Sequence, residues 1–182
     1  GFCFVNNVAV CARYLQKKYE IKKIAIIDFD VHHGNGTQEI FYNDETVAYA
    51  SSHEFPLFPG TGSEEETGVG NIFNATLKSG VEGKEFIKIF NQKILKPIDK
   101  FKPEIILISA GFDAHKRDPL ANINLESEDF FGITKQIVEI SNNGIMTFNV
   151  LEHQNQICLF EFIYFLNPNS KFNNQEVFSL RY

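Results

Sequence analysis

Residues 23–36, KIAIIDFDVHHGNG, decide how this chain folds. Residues 23–27 form a short, nearly continuous apolar run, which is typical of a strand buried on both faces of a sheet. Asp28 ends the run, and the glycine-rich stretch that follows predicts a turn. The segment therefore predicts a buried strand whose carboxyl end carries a group of polar side chains.

The rest of the chain alternates between helical and strand patterns. We predict helices over 6–19, 83–100 and 126–142, strands over 46–51, 105–108 and 145–151, and a long loop over 56–70. This alternation predicts an α/β domain with a mainly parallel sheet. Ligands of such domains bind beyond the carboxyl ends of the strands.

Composition limits the classes of function. The 182 residues are 43% hydrophobic and 22% charged, which predicts one globular domain. A net charge of -6 disfavours a protein that binds the nucleic-acid backbone. The three cysteines, Cys3, Cys11 and Cys158, match no metal or disulfide spacing, and the longest nearly apolar run is too short to span a bilayer. We therefore expect a cytoplasmic protein without membrane contact, of undetermined oligomeric state.

Polar residues that follow two strands are candidates for chemistry. Asp28, Asp30 and His32 alternate along an extended segment, so their side chains share one side. Asp113 follows another buried strand, whose carboxyl end lies at the same rim of a parallel sheet. Two carboxylates and an imidazole suit a catalytic zinc with an open position. Spacing alone leaves open a second interpretation, in which these groups only cap the strand end.

The other histidines carry a weaker signal. His33 follows His32 directly, where a structural role is the more common one. His53 and His115 each stand alone in the sequence, and lone histidines usually satisfy local hydrogen bonds.

Four segments carry a resemblance to a known family. Residues 1–7 (GFCFVNN), 28–37 (DFDVHHGNGT), 58–62 (FPGTG) and 109–115 (SAGFDAH) resemble successive signature blocks of the histone deacetylase and acetylpolyamine amidohydrolase family. They occur in the family's order, and the resemblance covers residues 1–152. Asn35 and the GFD form at 111–113 look more like class II and bacterial members. The resemblance implies the three-layer α/β/α fold of the arginase/deacetylase type.

The resemblance also implies roles for individual residues. Zinc, which polarises the acetyl carbonyl and activates a water, would be held by Asp30, His32 and Asp113. A structural potassium ion would be enclosed by Asp28, Asp30, His32, Ser51 and Ser52. Asp28 and Asn35 would each orient one of two catalytic histidines. Phe2 and Phe58 would wall the channel for an acetylated lysine peptide or an acetylpolyamine.

Two parts of the family's machinery are not found in this sequence. The family's His-His pair, its general base and acid, precedes the GFC block with which this chain begins. The oxyanion tyrosine of the family's LEGGY segment is also missing, because Leu151 and Glu152 are followed here by residues 153–155, HQN. We therefore predict a partial deacetylase domain over 1–152, incomplete at its N-terminus, and an unrelated tail over 153–182. A reading-frame change near residue 152 would explain the switch.

Three functional interpretations follow. The first is a zinc-dependent deacetylase whose 182 residues alone are inactive. The second is a degenerate fragment or a metal-binding pseudoenzyme without catalysis. The third, a binuclear manganese hydrolase of the arginase type, is disfavoured because such sites need further Asp and His ligands that the sequence does not offer. The natural substrate is not decided by the sequence, because substrate choice depends on rim loops.

Overall fold

The computed structural model describes residues 4–141 with their side chains, and the backbone of residues 145–149 and 162–165. Its elements are α1 (Asn7–Tyr19), β1 (Ile24–Asp28), α2 (Asn35–Phe41), β2 (Val47–Glu54), β3 (Ile72–Leu77), α3 (Gly83–Phe90), α4 (Lys96–Phe101), β4 (Ile105–Ala110), α5 (Ser127–Ile140), β5 (Ile145–Asn149) and β6 (Phe162–Phe165). Each predicted strand and helix thus has a counterpart, although the boundaries differ by several residues.

The strands form one sheet in the order β3-β2-β1-β4-β5-β6. Strands β1 to β5 pair in parallel, and β6 pairs antiparallel with β5. The strand order reverses beside β1, because the chain leaves β1 toward β2 on one side and later returns to place β4 on the other. Such a reversal opens a crevice at the carboxyl ends of the strands, where ligands bind in doubly wound folds.

Both faces of the sheet are covered by helices. On β1, Ile24 and Ile26 pack in the core formed with α1 and α2, whereas Ala25 and Ile27 pack in the core formed with α3, α4 and α5. Full burial of β1 on both faces explains why its sequence is continuously apolar rather than alternating. The predicted three-layer α/β/α fold with a mainly parallel sheet is confirmed.

Some elements depart from the sequence prediction. Helix α2 and strands β3 and β6 were not predicted, and the single helix expected over 83–100 is divided by a π-helical segment, Asn91–Leu95. Pro97 follows this segment closely, and a proline has no N–H to continue the regular helical ladder. The loop over 56–70 contains no helix or strand, as predicted. None of the helices in the described ranges combines the length and apolarity needed to cross a membrane.

Candidate metal centre

Gly111 lets the loop after β4 approach the segment after β1. A Cβ atom added to Gly111 would lie 2.3 Å from Asp30 Oδ2 and 2.6 Å from the Asp30 Cα. A larger residue would therefore push the two segments apart. The close approach brings Asp113, two residues further on, to Val31, whose backbone N–H donates to Asp113 Oδ1 over 2.8 Å.

Asp30, His32 and Asp113 converge beyond the carboxyl ends of the neighbouring strands β1 and β4. One ligand-type atom from each lies within 4.8 Å of the other two. His32 Nδ1 is 2.8 Å from Asp113 Oδ2 and 3.2 Å from Asp30 Oδ1. All three side chains retain some exposure, 22% for His32, 15% for Asp30 and 9% for Asp113, so the group is reachable from solvent. The structure thus brings together the three side chains that the sequence predicted to converge.

The carboxyl groups of Asp30 and Asp113 favour a positive charge on His32 between them. Hydrogen bonding to Asp113, and then to Asp30, raises the pKa of His32 to about 10. Burial raises the pKa of Asp30, and the charge of Asp113 adds to that effect. Burial acts on Asp113 as well, but hydrogen bonds from His32 and Val31 outweigh it and hold the pKa of Asp113 below its ordinary value. Without a metal, a proton on His32 is therefore the positive charge that offsets the two carboxyl groups.

Asp28 lies beneath this group rather than in it. Its side chain is buried, and it accepts hydrogen bonds from the Asp30 backbone N–H and the Tyr49 hydroxyl, each at 3.1 Å. Burial, and then the charge of Asp30, raise the pKa of Asp28 to about 8. Asp28 therefore fixes the start of the segment that carries Asp30. The histidine that it would orient in the family is not among the described residues, so that role stays a prediction.

The serines expected around potassium lie on the neighbouring strand. Ser51 is the register partner of Asp28, and both Ser51 and Ser52 are buried. The Ser51 hydroxyl is 2.9 Å from His53 Nδ1, whereas the Ser52 hydroxyl has no hydrogen-bond partner within the described residues. Ser51 therefore lies beside the end of β1, and the potassium site stays a prediction.

Two of the remaining predicted site residues, Asn35 and Phe58, are exposed. Asn35 is the first residue of α2 and is exposed. Phe58 lies in the loop after β2 with 66% of its surface accessible. Phe2 lies outside the described residues, as do residues 151–155, where the family's oxyanion tyrosine would be sought.

A buried polar network, not predicted from the sequence, joins the segment that carries Asp30 and His32 to the loop that carries Phe58. His33 Nε2 is 3.0 Å from the Gln38 side-chain carbonyl, and His33 Nδ1 is 2.7 Å from the Thr61 hydroxyl. Because the Gln38 carbonyl only accepts, Nε2 carries the ring proton and Nδ1 accepts from Thr61. Asn74 donates to the same Gln38 oxygen over 2.8 Å. No regular spacing in the sequence links these residues, which explains why they were missed.

At Gly62 the loop is hydrogen-bonded to His53 and packed against His33 and His53. His53 Nε2 donates to the Gly62 carbonyl over 2.9 Å, so its Nδ1 accepts from the Ser51 hydroxyl. The rings of His33 and His53 are 4.7 Å apart, and both are buried. Gly62 has a φ of +88°, and an added Cβ would lie 2.6 Å from atoms of both rings. Both histidines thus serve the packing of this loop.

His115 contacts residues outside the group of Asp30, His32 and Asp113. Its Nδ1 accepts from the Arg117 backbone N–H over 3.2 Å, and its ring lies 6.4 Å from that of Phe130. It does not belong to the group formed by Asp30, His32 and Asp113.

The fold and this group define a class of protein: an α/β domain with two carboxylates and a histidine at the topological switch point of a parallel sheet. Residues 1–152 match the histone deacetylase domain family, and the chain belongs to this family. Among its relatives, histone deacetylase 10, chloroplastic, of Oryza sativa subsp. japonica is 41% identical over 145 residues, covering 78% of this chain and 33% of the relative.

Solved structures of the HDA15 HD domain and of an acetylpolyamine aminohydrolase are similar to this chain. The crystal structure of the HDA15 HD domain matches with a TM-score of 0.77 and 35% identity, over 82% of this chain and 44% of that one. The acetylpolyamine aminohydrolase of Burkholderia pseudomallei matches with a TM-score of 0.74 and 29% identity, over 82% of this chain and 45% of that one. The chain thus spans less than half the length of these relatives.

Proposed function

We propose that this chain carries the metal-binding half of a zinc-dependent deacetylase that hydrolyses the amide of acetyl-lysine or of an acetylpolyamine. Asp30, His32 and Asp113 are the proposed zinc ligands. The observation that carries the proposal is the convergence of their three ligand atoms within 4.8 Å, in the crevice where the fold binds ligands. Membership of the histone deacetylase domain family supports the same chemistry.

The donor set fits zinc. One imidazole nitrogen and two carboxylate oxygens are ordinary zinc ligands, and three protein ligands leave the fourth position for water or substrate. A binuclear site would need a second cluster of ligands, and within the described residues this group of three is the one found. Zinc is therefore preferred over the binuclear manganese arrangement of the arginase type.

The residues of the chain prepare the site in separate ways. When bound, zinc supplies a Lewis acid that polarises the amide carbonyl and acidifies a water. His32 must lose its proton to bind a metal, and the positive charge of the bound ion would then take the place of that proton in offsetting Asp30 and Asp113. Asp28 fixes the backbone of Asp30 through a hydrogen bond. Phe58 presents an apolar surface, suited to the methylene stem of lysine or a polyamine.

A potassium ion beside β1 belongs to the same proposal. Its ligands would come from Asp28, Asp30, His32, Ser51 and Ser52. Support comes from the register of Ser51 with Asp28 and from the Ser51 hydroxyl, which donates its proton to His53 and so turns an oxygen lone pair, the kind of ligand that a cation needs, away from that contact. The ion would stabilise the strand end that carries the zinc ligands.

For the 182 residues taken alone, we infer negligible turnover. Leu151 and Glu152 precede HQN instead of the family's GGY, so the oxyanion tyrosine is replaced. Loss of one oxyanion donor costs on the order of 10² to 10³ in rate. The alternative of a degenerate fragment or metal-binding pseudoenzyme is favoured by the same substitution. The natural acetylated substrate and the cytoplasmic location stay predictions.

Zinc content tests the metal assignment. We expect the purified chain to bind about one zinc ion, measured by elemental analysis after dialysis, because three ligands are already close together. His32→Ala and Asp113→Ala should each weaken zinc binding by at least about 100-fold, more than the roughly 10- to 100-fold loss typical of an outer-shell partner. His115→Ala, a histidine outside the group, is the matched control.

Two outcomes would count against the proposal. If His32→Ala binds zinc as tightly as His115→Ala does, the assignment of His32 as a zinc ligand is wrong. Hydrolysis of an acetyl-lysine peptide by the 182-residue chain at a rate well above background would overturn the inferred lack of turnover, while leaving the metal assignment intact.

A further inference from the structure

The turn that carries Phe58 is fixed to the fold at both ends. On its N-terminal side, Leu57 packs against the core between the sheet and α3 to α5, and the Gly60 N–H donates to the Leu57 carbonyl over 2.7 Å. On its C-terminal side, Gly62 is held by hydrogen bonds to Glu66 and His53. Phe58 lies between these anchors with its ring exposed. The position of the ring therefore depends on both anchors.

Glu66 is the centre of the C-terminal anchor. Its carboxylate accepts from the Gly62 N–H at 3.0 Å, the Ser63 N–H at 2.9 Å and the Gln38 side-chain amide at 2.5 Å. Burial raises the pKa of Glu66, but hydrogen bonds from Ser63, Gln38 and Gly62 outweigh burial and hold this pKa below its ordinary value. Three donors to one ionised carboxylate form a strong, charge-assisted anchor.

The same carboxylate connects the turn to the metal segment. Gln38, which donates to Glu66, accepts from His33, and His33 follows the proposed zinc ligand His32 directly in the chain. The path from Glu66 through Gln38 to His33 consists of buried or half-buried side chains. A shift of Glu66 would therefore move the turn relative to the metal centre.

We propose that Glu66 is a positioning residue: it holds the Phe58 turn at a fixed place relative to Asp30, His32 and Asp113, and so sets the preference of the site for a ligand with an extended apolar stem. The selectivity part of this inference rests on the proposed function. Glu66 touches neither the metal ligands nor the stem, and it acts through Gly62 and Phe58.

Substitutions at Glu66 test this role against a neighbour of equal charge. Glu66→Ala removes all three acceptor contacts. In Glu66→Gln, one amide oxygen remains as acceptor while the NH₂ group faces backbone N–H donors, so an intermediate effect is expected. Glu65→Ala removes the same charge from the preceding position of the loop, where the side chain is exposed, and is the matched control.

Ligand selectivity is the first measurement. Two metal-chelating probes, acetohydroxamate and a linear alkyl hydroxamate with a stem as long as that of lysine, are titrated by calorimetry into the zinc-loaded chain. We expect the preference for the long probe to fall by about tenfold in Glu66→Ala, equivalent to about 1.4 kcal/mol, and to stay unchanged in Glu65→Ala. Binding of acetohydroxamate, which lacks the stem, should be the same in all variants.

Hydrogen exchange is the second measurement and needs neither metal nor ligand. Because the Gly62 and Ser63 N–H groups donate to Glu66, a peptide covering residues 57–63 should exchange at least about tenfold faster in Glu66→Ala and at the original rate in Glu65→Ala. An unchanged probe preference or unchanged exchange in Glu66→Ala would overturn the inference. Failure of the proposed function shows differently, as lack of acetohydroxamate binding to the unsubstituted chain.

Discussion

His53 should make the stability of this protein depend on pH. Its ring is fully buried, Nε2 donates to the Gly62 carbonyl, and Nδ1 accepts from Ser51, so the neutral ring satisfies both partners. Burial, and then the neighbouring His33, lower the pKa of His53 from 6.5 to about 4, against the opposing hydrogen bond to Gly62 and the charges of Glu66 and Glu64. A proton on His53 would place a charge in the core, and the added N–H at Nδ1 would break the hydrogen bond that Nδ1 accepts from the Ser51 hydroxyl.

The sign and size of the effect follow from linkage. The folded state binds this proton more weakly than the unfolded state, so the stability contribution is complete above pH 6.5 and is lost as the pH falls toward about 4. At roughly 1.4 kcal/mol per pH unit, the loss is about 3 kcal/mol, a large part of the stability of an ordinary domain.

Urea denaturation followed by circular dichroism, at several pH values between about 7.5 and 4.5, measures this loss. His53→Asn removes the titrating ring, so its free energy of unfolding should fall less steeply with acidification, although it is less stable at neutral pH. Carboxylates that titrate in the same range are present in both proteins, and their contributions largely cancel in the comparison. Parallel pH profiles for the two proteins, within about 0.5 kcal/mol, would refute the reasoning.

Two further predictions concern substitutions at Gly62, in the loop over 56–70, and at Asn71, which follows that loop. Gly62→Ala should lower the free energy of unfolding by about 3 kcal/mol, because its Cβ would clash with His33 and His53, whereas Gly60→Ala, with a φ of +82° and open space around it, should cost about 1 kcal/mol. Equal urea midpoints for these two variants would contradict the clash. Asn71→Ala should cost about 2 kcal/mol or more in the same assay, because the two N–H bonds of the buried amide are shared among three main-chain carbonyls at 2.8 to 3.0 Å. A loss below about 0.5 kcal/mol would show that water replaces the amide.

The sequence predicted those elements whose physical signal is local and repeated. Continuous apolar runs identified β1 and β4 because both strands are buried on both faces. Helix α2 was missed because it has only 7 residues, fewer than an amphipathic pattern needs to show its period. Strand β3 was missed because the polar residues Asn74 and Thr76 interrupt it, and Asn74 is buried only through its contacts with other segments.

The candidate site was partly predictable for a different reason. Asp30 and Asp113 are far apart in sequence, but their strands are neighbours, and the rule that ligands bind beyond the carboxyl ends of parallel strands is enough to bring them together. No comparable rule exists for the network around Glu66, whose members come from a strand, a helix and an irregular loop. Its geometry depends on how that loop folds back over α2, which hydrophobic periodicity does not record.

The dependence of the metal centre on β4 explains why a single glycine is decisive. Asp30 and His32 belong to one short segment, so any fold that keeps β1 intact keeps them together. Asp113 joins them only because Gly111 has no side chain where Asp30 passes. Backbone packing between β1 and β4 therefore places the third proposed ligand, and the proposed zinc affinity should depend on the stability of the sheet at its switch point.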